Sequence, residues 1–452
     1  MKSTTLPQQN EADENTAVSW PQVSLLILNW NGKPLLEQHL SSFFDLEYSA
    51  YQVVVVDNGS TDGSVPFVQT QFPQARLICH KQNMGFSPGL NAAMQQIDSD
   101  IIVLLNNDVS VRPDWLRALV RPIATDPTIG ITGCKMLYPD GNTLQHAGAS
   151  LSYPLAHSQH DFYREPDEGQ ADEMRDVPYV TGAAIAIARS VINKIGLLDE
   201  AFSPIYYEEA DYCYRAREAG FRVVYAPDAV AIHHESFTMR QMGGWHLFTL
   251  HKNRYRFVMR HYTSEQILDD FVPAELAEIQ EPMPAIKLYA LRRALLATKL
   301  LLPVILRERD ESDKMPQYEA ALDMLRENTL SQRPQLSTAP PQTVIETALA
   351  EKQTLEEPAF TSNTPIVGSL VAAFRQFWND ISTKWYVRGI IQQQMAFNKL
   401  VTRLIGEQDR QGEALAQEIS LLTDALLAMQ QRVEELETAL AAEKMGAGKE
   451  KE

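Results

Sequence analysis

The chain reads as an α/β protein organised on a mostly parallel sheet flanked by helices, and three observations predict it. Short runs rich in aliphatic and β-branched residues, VSLLILN, VVVVD, RLIC and IIVLL, recur between residues 23 and 105. Each is followed by polar turn residues and then by a stretch of helical length, the alternation that marks βαβ units. The last of these runs, Ile101 to Leu105, is apolar at every position, as expected for a strand buried on both faces.

In chain order, the first strand ends in Asn29, Trp30, Asn31 and Gly32, and a helix over about 34–44 follows. VVVVD, 53–57, opens into NGSTDGS, whose glycines make turns and whose Asp62 or Ser64 caps the next helix. RLICH, 76–80, leads to Asn83 and Gly85 and a helix from about Pro88 to Ile97. The fourth strand delivers Asn106, Asn107 and Asp108. Right-handed crossovers place all four strand ends on one sheet edge, where open α/β sheets bind ligands. A lone carboxylate there suits a hard divalent cation shared with a phosphate. The same residues also suit a polar turn ahead of a helix near Pro113, and the stretch by itself leaves both readings open. Neither GxGxxG nor GxxxxGK[ST] is present, which excludes the usual dinucleotide-binding and P-loop signatures.

Residues 113–175 predict a helix, a strand at GITGCKML, and then irregular polar sequence. His146, His157 and His160 lie in that stretch at a spacing that matches no metal motif, so they are expected to be loop histidines. Order returns at VPYVTGAAIAIARS, 177–190, a strand whose Gly182 allows close packing. The second chemical cluster is SPIYYEEADYCYRAREAG. Glu208, Glu209 and Asp211 begin a helix that Gly220 ends. Acids in a first turn suit the helix dipole. Three of them beside Tyr206 and Tyr207 also suit a general base, because crowded carboxylates near apolar rings hold their protons more tightly. FRVVYAP is a further strand, and DAVAIHH is a short extended segment ending in His233 and His234, candidate ligands at a strand end.

The 452 residues suffice for one large domain with appendages or for two to three domains. A net charge of −18 argues against a nucleic-acid binder, whose footprint is basic. Cys79, Cys134 and Cys213 lie far apart without CxxC spacing, a reduced, intracellular pattern with no thiolate zinc site. The polar, acidic start MKSTTLPQQNEADENTA is unlike a signal peptide. No apolar run reaches the roughly 18 residues a membrane span needs. The expected location is cytoplasmic, with peripheral attachment to the inner face of the cell membrane as the variant.

The ordered set VVVDNGSTDGS, NMGFSPGLN, LLNND, the TGA segment and LLDEAFSPIYYEEADYCYRAREAGFRVVYAPDAVAIHH resembles the inverting glycosyltransferases of GT-A family two. The similarity covers about residues 22–262 and is strongest to the rhamnosyltransferase-like branch of O-antigen and exopolysaccharide synthesis. The resemblance implies a Rossmann-like GT-A fold and a nucleoside-diphosphate sugar donor. It also implies a glycan or lipid-linked acceptor and a divalent metal, Mg²⁺ or Mn²⁺. By position it assigns Asn29, Trp30, Asp57 and Asn58 to the base and ribose, and Asn83, Gly85 and Asn91 to the segment closing over the nucleotide. Asn106-Asn107-Asp108 takes the place of the DxD motif, with Asp108 and His233 as metal ligands. Glu209 takes the place of the catalytic base, with Asp211 beside it and Glu208 as the alternative base, and Asn253 and Arg254 match a basic segment near the donor. Two positions depart from the pattern: Asn106 replaces the first acid of DxD, and Glu209 replaces an Asp. The departures suit a second reading, a non-catalytic GT-A scaffold; the complete crevice favours the enzyme.

The expected organisation is a disordered leader over 1–20, the GT-A domain over 21–262 and a helical extension over 263–310. A linker with at most one helix follows over 311–365, then a helical segment over 366–445 ending in a coiled coil, and a tail over 446–452. The helix at 288–306 interleaves Arg292, Arg293 and Lys299 with apolar residues and follows Lys287. It fits either a membrane surface or the flank of the catalytic domain. Trp378, Trp385 and Tyr386 lie in an aromatic, helix-prone segment. Leu415, Ile419, Leu422, Leu426, Met429, Val433, Leu436 and Leu440 alternate steps of four and three, a heptad seam that predicts weak homo-oligomerisation or a partner helix through 401–440.

Overall fold

A computed structural model describes residues 20–234 and 243–332. The leader, most of the linker, the aromatic segment and the heptad seam lie outside the described residues. Four parallel strands come first: β1 (Val23–Asn29), β2 (Tyr51–Asp57), β3 (Arg76–Cys79) and β4 (Ile101–Asn106). They pair in the order β3-β2-β1-β4. The register sets Asn29 opposite Asp57 and Leu28 opposite Asn106, so the polar strand ends come level at one edge. Beyond β4 the sheet continues through β11 (Ala184–Ala188), antiparallel to it, then β6 (Ile129–Leu137), β12 (Arg222–His233) and the edge pair β10 (Arg175–Asp176). β5 (Val109–Val111) adds to β12, and β7 (Leu144–His146) adds to β6.

Every residue of β4 from Ile101 to Leu105 is at most 1% exposed, and its side chains alternate between two cores. Ile102 and Leu104 join Leu26, Val54 and Val56 on one face; Ile101, Val103 and Leu105 join Leu25, Ile27 and Val55 on the other. Burying each such side chain stabilises the fold by roughly 1.5–3 kcal/mol, which makes this sheet a rigid platform. Helix α1 (Lys33–His39) and its 3₁₀ continuation, α2 (Ser64–Gln71) and α4 (Trp115–Thr125) cover the second face. Helices α3 (Phe86–Met94), α5 (Arg189–Ile195) and α6 (Glu208–Glu218) cover the first.

Three expectations change. The stretch after β6 is not irregular: it forms β7, β8 (Ala149–Leu151) and β9 (Ser158–His160), strands too short to show a period in sequence. FRVVYAP and DAVAIHH are one strand, β12, interrupted between Ala226 and Val230 by a bulge at Pro227-Asp228. The helical extension also runs further than 310. Helix α7 (Gly243–His261) still falls within 21–262; α8 (Val272–Gln280), α9 (Ala285–Glu308) and α10 (Met315–Ser331), the one helix the expected linker allowed, carry the helical run to Ser331.

Leu288, Leu291, Leu295, Leu302 and Leu306 of α9 are buried in the first core. Four of its cations are engaged within the protein. Lys287 pairs with Glu278 at 2.9 Å and Lys299 with Asp323 at 2.6 Å; Arg292 donates to the Thr329 carbonyl and Arg293 lies over Phe248. No helix among the described residues is long and apolar enough to cross a membrane.

Candidate active site

The strand edge becomes a site through the short β5–β12 ladder. Val109 pairs with His233 and Val111 with Ala231, antiparallel, and His234 N–H donates to the Asp108 carbonyl at 2.9 Å. Residues far apart in the chain thereby meet: His233 Nε2 stands 3.1 Å from Asp108 Oδ1. Gln145 Oε1 lies 2.6 Å from His233 Nδ1 and accepts a hydrogen bond there in the Nδ1-protonated tautomer. That leaves the Nε2 lone pair facing a carboxylate, two acceptors that need a cation or a proton between them. An imidazole oriented from behind by an amide oxygen, opposite one carboxylate, is a donor set that fits a divalent metal completed by phosphate oxygens and water. Among the described residues no group of three or more His, Cys, Asp or Glu side chains could hold an ion by itself.

Beneath the pair lies an amide network. Asn107 Nδ2 donates to Asn29 Oδ1 at 2.8 Å, and Asn29 Nδ2 donates to Asp57 Oδ1 at 3.2 Å. Asp57 Oδ2 accepts from Ser60 N–H and shapes the turn after β2. Gly32 is required here, since a Cβ would stand 2.2 Å from Asn107 Nδ2. Asn58 closes the adjacent loop: its Nδ2 donates to Asn83 Oδ1 and the Gly85 carbonyl, and its Oδ1 accepts from Met84 N–H. Gly85 takes a φ of 91°, and a Cβ there would meet Ser203 Oγ at 2.6 Å.

Across the cavity stands α6. Tyr206 and Tyr207 precede it with left-handed φ values of 80° and 70°, a strain on the order of 1–2 kcal/mol each. Asn253 of α7 holds this loop, its Nδ2 within 2.9 Å of the Phe202, Ile205 and Tyr206 carbonyls. The loop delivers Glu208 and Glu209 into the cavity, and each has a buried oxygen, Oε2, with no hydrogen-bond partner among the described residues. Burial raises the Glu209 carboxyl above its ordinary value. Burial and then the Glu209 charge push Glu208 well above its own.

Asp108, Glu208, Glu209 and His233 all line one cavity of about 960 Å³, together with Trp30, Asn58, Asn83, Gly85, Asn106 and Asn107. A cleft with a metal-type pair on one wall and basic carboxylates on another is built for transfer to an activated nucleophile. The model of the glycosyltransferase-like family 2 matches residues 21–259. The chain belongs to this family. The O-antigen biosynthesis protein RfbC of Myxococcus xanthus is 30% identical over 230 residues, 49% of this chain and 18% of that protein. N-acetylglucosaminyl-diphospho-decaprenol L-rhamnosyltransferase of Mycobacterium tuberculosis is 25% identical over 261 residues, 52% of this chain and 83% of that enzyme. The chain spans 25% and 18% of the length of the first curated relatives it matches. Among solved structures, GalNAc-T7 with UDP, GalNAc and Mn²⁺ superposes with a TM-score of 0.46 at 18% identity, covering 58% of this chain and 51% of that one.

Several residues assigned by resemblance to the glycosyltransferase family do not reach the cavity. Asn29 and Asp57 are buried one layer below its floor, where they orient Asn107 and the Ser60 turn. Asn91 faces the protein, bonding Leu198 N and O and Glu200. Arg254 is buried against Glu275 and donates to the Leu155 carbonyl. Asp211 is also turned away and pairs with Arg215 at 2.8 Å, His261 at 2.9 Å and Arg260 at 3.1 Å. Burial alone pushes the Asp211 carboxyl up, but the His261 hydrogen bond and the Arg215 and Arg260 charges hold it below its ordinary value. Other site residues carried no sequence signal. Gln145 sits in a three-residue strand and Trp245 lines the cavity from a segment with no family motif, whereas Thr181 opens the TGA segment that did mark the family. His146 and His160 are not loop histidines either: they end β7 and β9 and face each other, Nδ1 to Nδ1, at 3.3 Å.

Proposed function

We propose that the protein is an inverting glycosyltransferase acting in bacterial cell-surface polysaccharide synthesis. It moves a sugar, rhamnose or another hexose, from a nucleoside-diphosphate sugar to a glycan or lipid-linked acceptor. One observation carries the reading: the Asp108–His233 pair and the buried Glu209 carboxylate face a common cavity at the strand edge. The names of the two relatives support the polysaccharide context and the rhamnosyl donor.

In this reading Asp108 and His233 hold the divalent metal, Mg²⁺ or Mn²⁺, which when bound supplies electrostatic stabilisation of the leaving diphosphate. Gln145 keeps His233 in the tautomer that presents Nε2. Trp30, 47% exposed at the cavity mouth, offers its ring to the nucleobase. The acceptor oxygen attacks the anomeric carbon from the face opposite the diphosphate. The bond to the diphosphate breaks with its electron pair, and the acceptor proton goes to Glu209. Burial raises both carboxyls, and the Glu209 charge raises Glu208 besides, so the pair gives up a first proton more readily than a second.

The test is release of nucleoside diphosphate from dTDP-, UDP- and GDP-sugars with Mn²⁺, with and without EDTA. Turnover of at least one donor, lost on chelation and in Asp108→Ala, is expected. A chain that turns over none of them with Mn²⁺ present contradicts the proposal.

A further inference from the structure

We propose that a side chamber behind the Asp108–His233 pair binds a neutral sugar ring of the acceptor; the assignment rests on the glycosyltransferase reading above and adds where the acceptor is recognised. The chamber measures about 320 Å³ and adjoins the main cavity, with Thr181 and His233 lining both. That volume is near the lower end of small-ligand pockets, about 300 Å³, and suits one sugar ring.

The lining decides the class of ligand. Gln145, Ser158, His160 and Tyr163 supply amide, hydroxyl and imidazole groups, and no Lys, Arg, Asp or Glu among the described residues lines the chamber. A phosphate would find no fixed cation there, whereas a polyhydroxylated ring finds donors and acceptors at several points. Gln145 points to an occupant directly. It is 6% exposed, its Oε1 is committed to His233, and its Nε2 is buried without a hydrogen-bond partner among the described residues. A buried amide donor left unmatched costs roughly 1–3 kcal/mol, and a sugar hydroxyl oxygen satisfies it.

The walls are held in place. Ser158 Oγ and the Tyr179 hydroxyl share a 2.5 Å hydrogen bond, and Thr181 N–H donates to His146 Nε2 at 3.3 Å. Tyr163 is 43% exposed; Arg164 stands over its ring at 5.2 Å from the centroid, and the part left open gives an aromatic surface for the apolar face of a sugar. Because Gln145 touches both the chamber and His233, a ring seated there lies beside the proposed metal pair.

The test uses the full chain with ¹³C-labelled histidine, titrated with methyl glycosides of glucose, galactose, mannose and rhamnose, without donor or metal. At least one glycoside is expected to shift the ring signals of His146 and His160, and Tyr163→Ala is expected to raise its dissociation constant about tenfold. In the same variant, hydrolysis of the sugar nucleotide by water should stay within about twofold of wild type. The assignment is overturned if no glycoside moves those signals at about 50 mM, a concentration above the range of weak ligands. It is equally overturned if the shifts persist unchanged in Tyr163→Ala. Absence of donor hydrolysis in the wild type would contradict the enzymatic reading alone, because the titration needs no turnover.

Discussion

Glu209 and Asp211 stand two positions apart on α6, about 200° round the helix, and meet opposite surroundings. Glu209 enters the cavity, has one oxygen with no hydrogen-bond partner among the described residues, and holds its proton more tightly than an ordinary carboxyl. Asp211 turns inward, meets two guanidiniums and an imidazole, and gives up its proton more readily. In the proposed reading the same chemical group is thus a base on one face of a helix and an anchor on the other. What separates them is the supply of cations: α6 and α7 send Arg215, Arg260 and His261 to the back of the helix, and none of these lines the cavity.

The largest effect should come from Glu209→Gln, which is expected to lower turnover by about 10³-fold in a steady-state assay. It should not lower the melting temperature. Because burial raises this carboxyl, the folded state keeps a proton that the unfolded chain has lost. Stability therefore falls as pH rises through the folded-state value, and the amide removes that loss. Asp211→Asn should reverse the pattern. Breaking a buried ion-pair cluster costs about 3 kcal/mol of stability, read by denaturant unfolding, while turnover per folded molecule falls less than about tenfold. The sign of the pH dependence follows. The lowered Asp211 carboxyl stabilises the fold above the ordinary aspartate range, and that stability is lost as pH falls through its folded-state value. An Asp211→Asn enzyme that keeps its stability and loses its turnover would break the comparison. The smallest effect belongs to Glu208→Gln. With Glu209 as the base, Glu208 accepts no proton from the acceptor, so its amide should cost less than about tenfold in turnover. A loss as deep as that of Glu209→Gln would move the base to Glu208.

The parallel strands and their polar ends were legible because runs such as Val53–Val56 and Ile101–Leu105 have no amphipathic period and are buried on both sides. The convergence of Asp108 with His233 was legible from motif order, but its cause was not: β5 is three residues long and shows no pattern. Motif position also says nothing about the direction a side chain faces. Asn91 and Arg254 sit inside family-like segments and point into the protein. Gln145 and His146 looked like loop residues because β7 is as short as β5, and their environment is made by β6, β9 and β12. The heptad seam and aromatic segment lie outside the described residues, so the expected self-association is measured by sedimentation with and without residues 390–452. Fewer chains per particle for the shortened chain is the expected result, and an unchanged number would reject self-association through the seam.

The central claim is that Asp108 and His233 form a metal site which Glu209 shares as a neighbour and not as a ligand. Mn²⁺ binding in the presence of UDP, dTDP or GDP, followed by electron paramagnetic resonance, tests it most directly. Wild type and Glu209→Gln should bind alike, and Asp108→Ala and His233→Ala should each bind at least about 100-fold more weakly. Unchanged Mn²⁺ affinity in Asp108→Ala, or its loss in Glu209→Gln, would contradict the account.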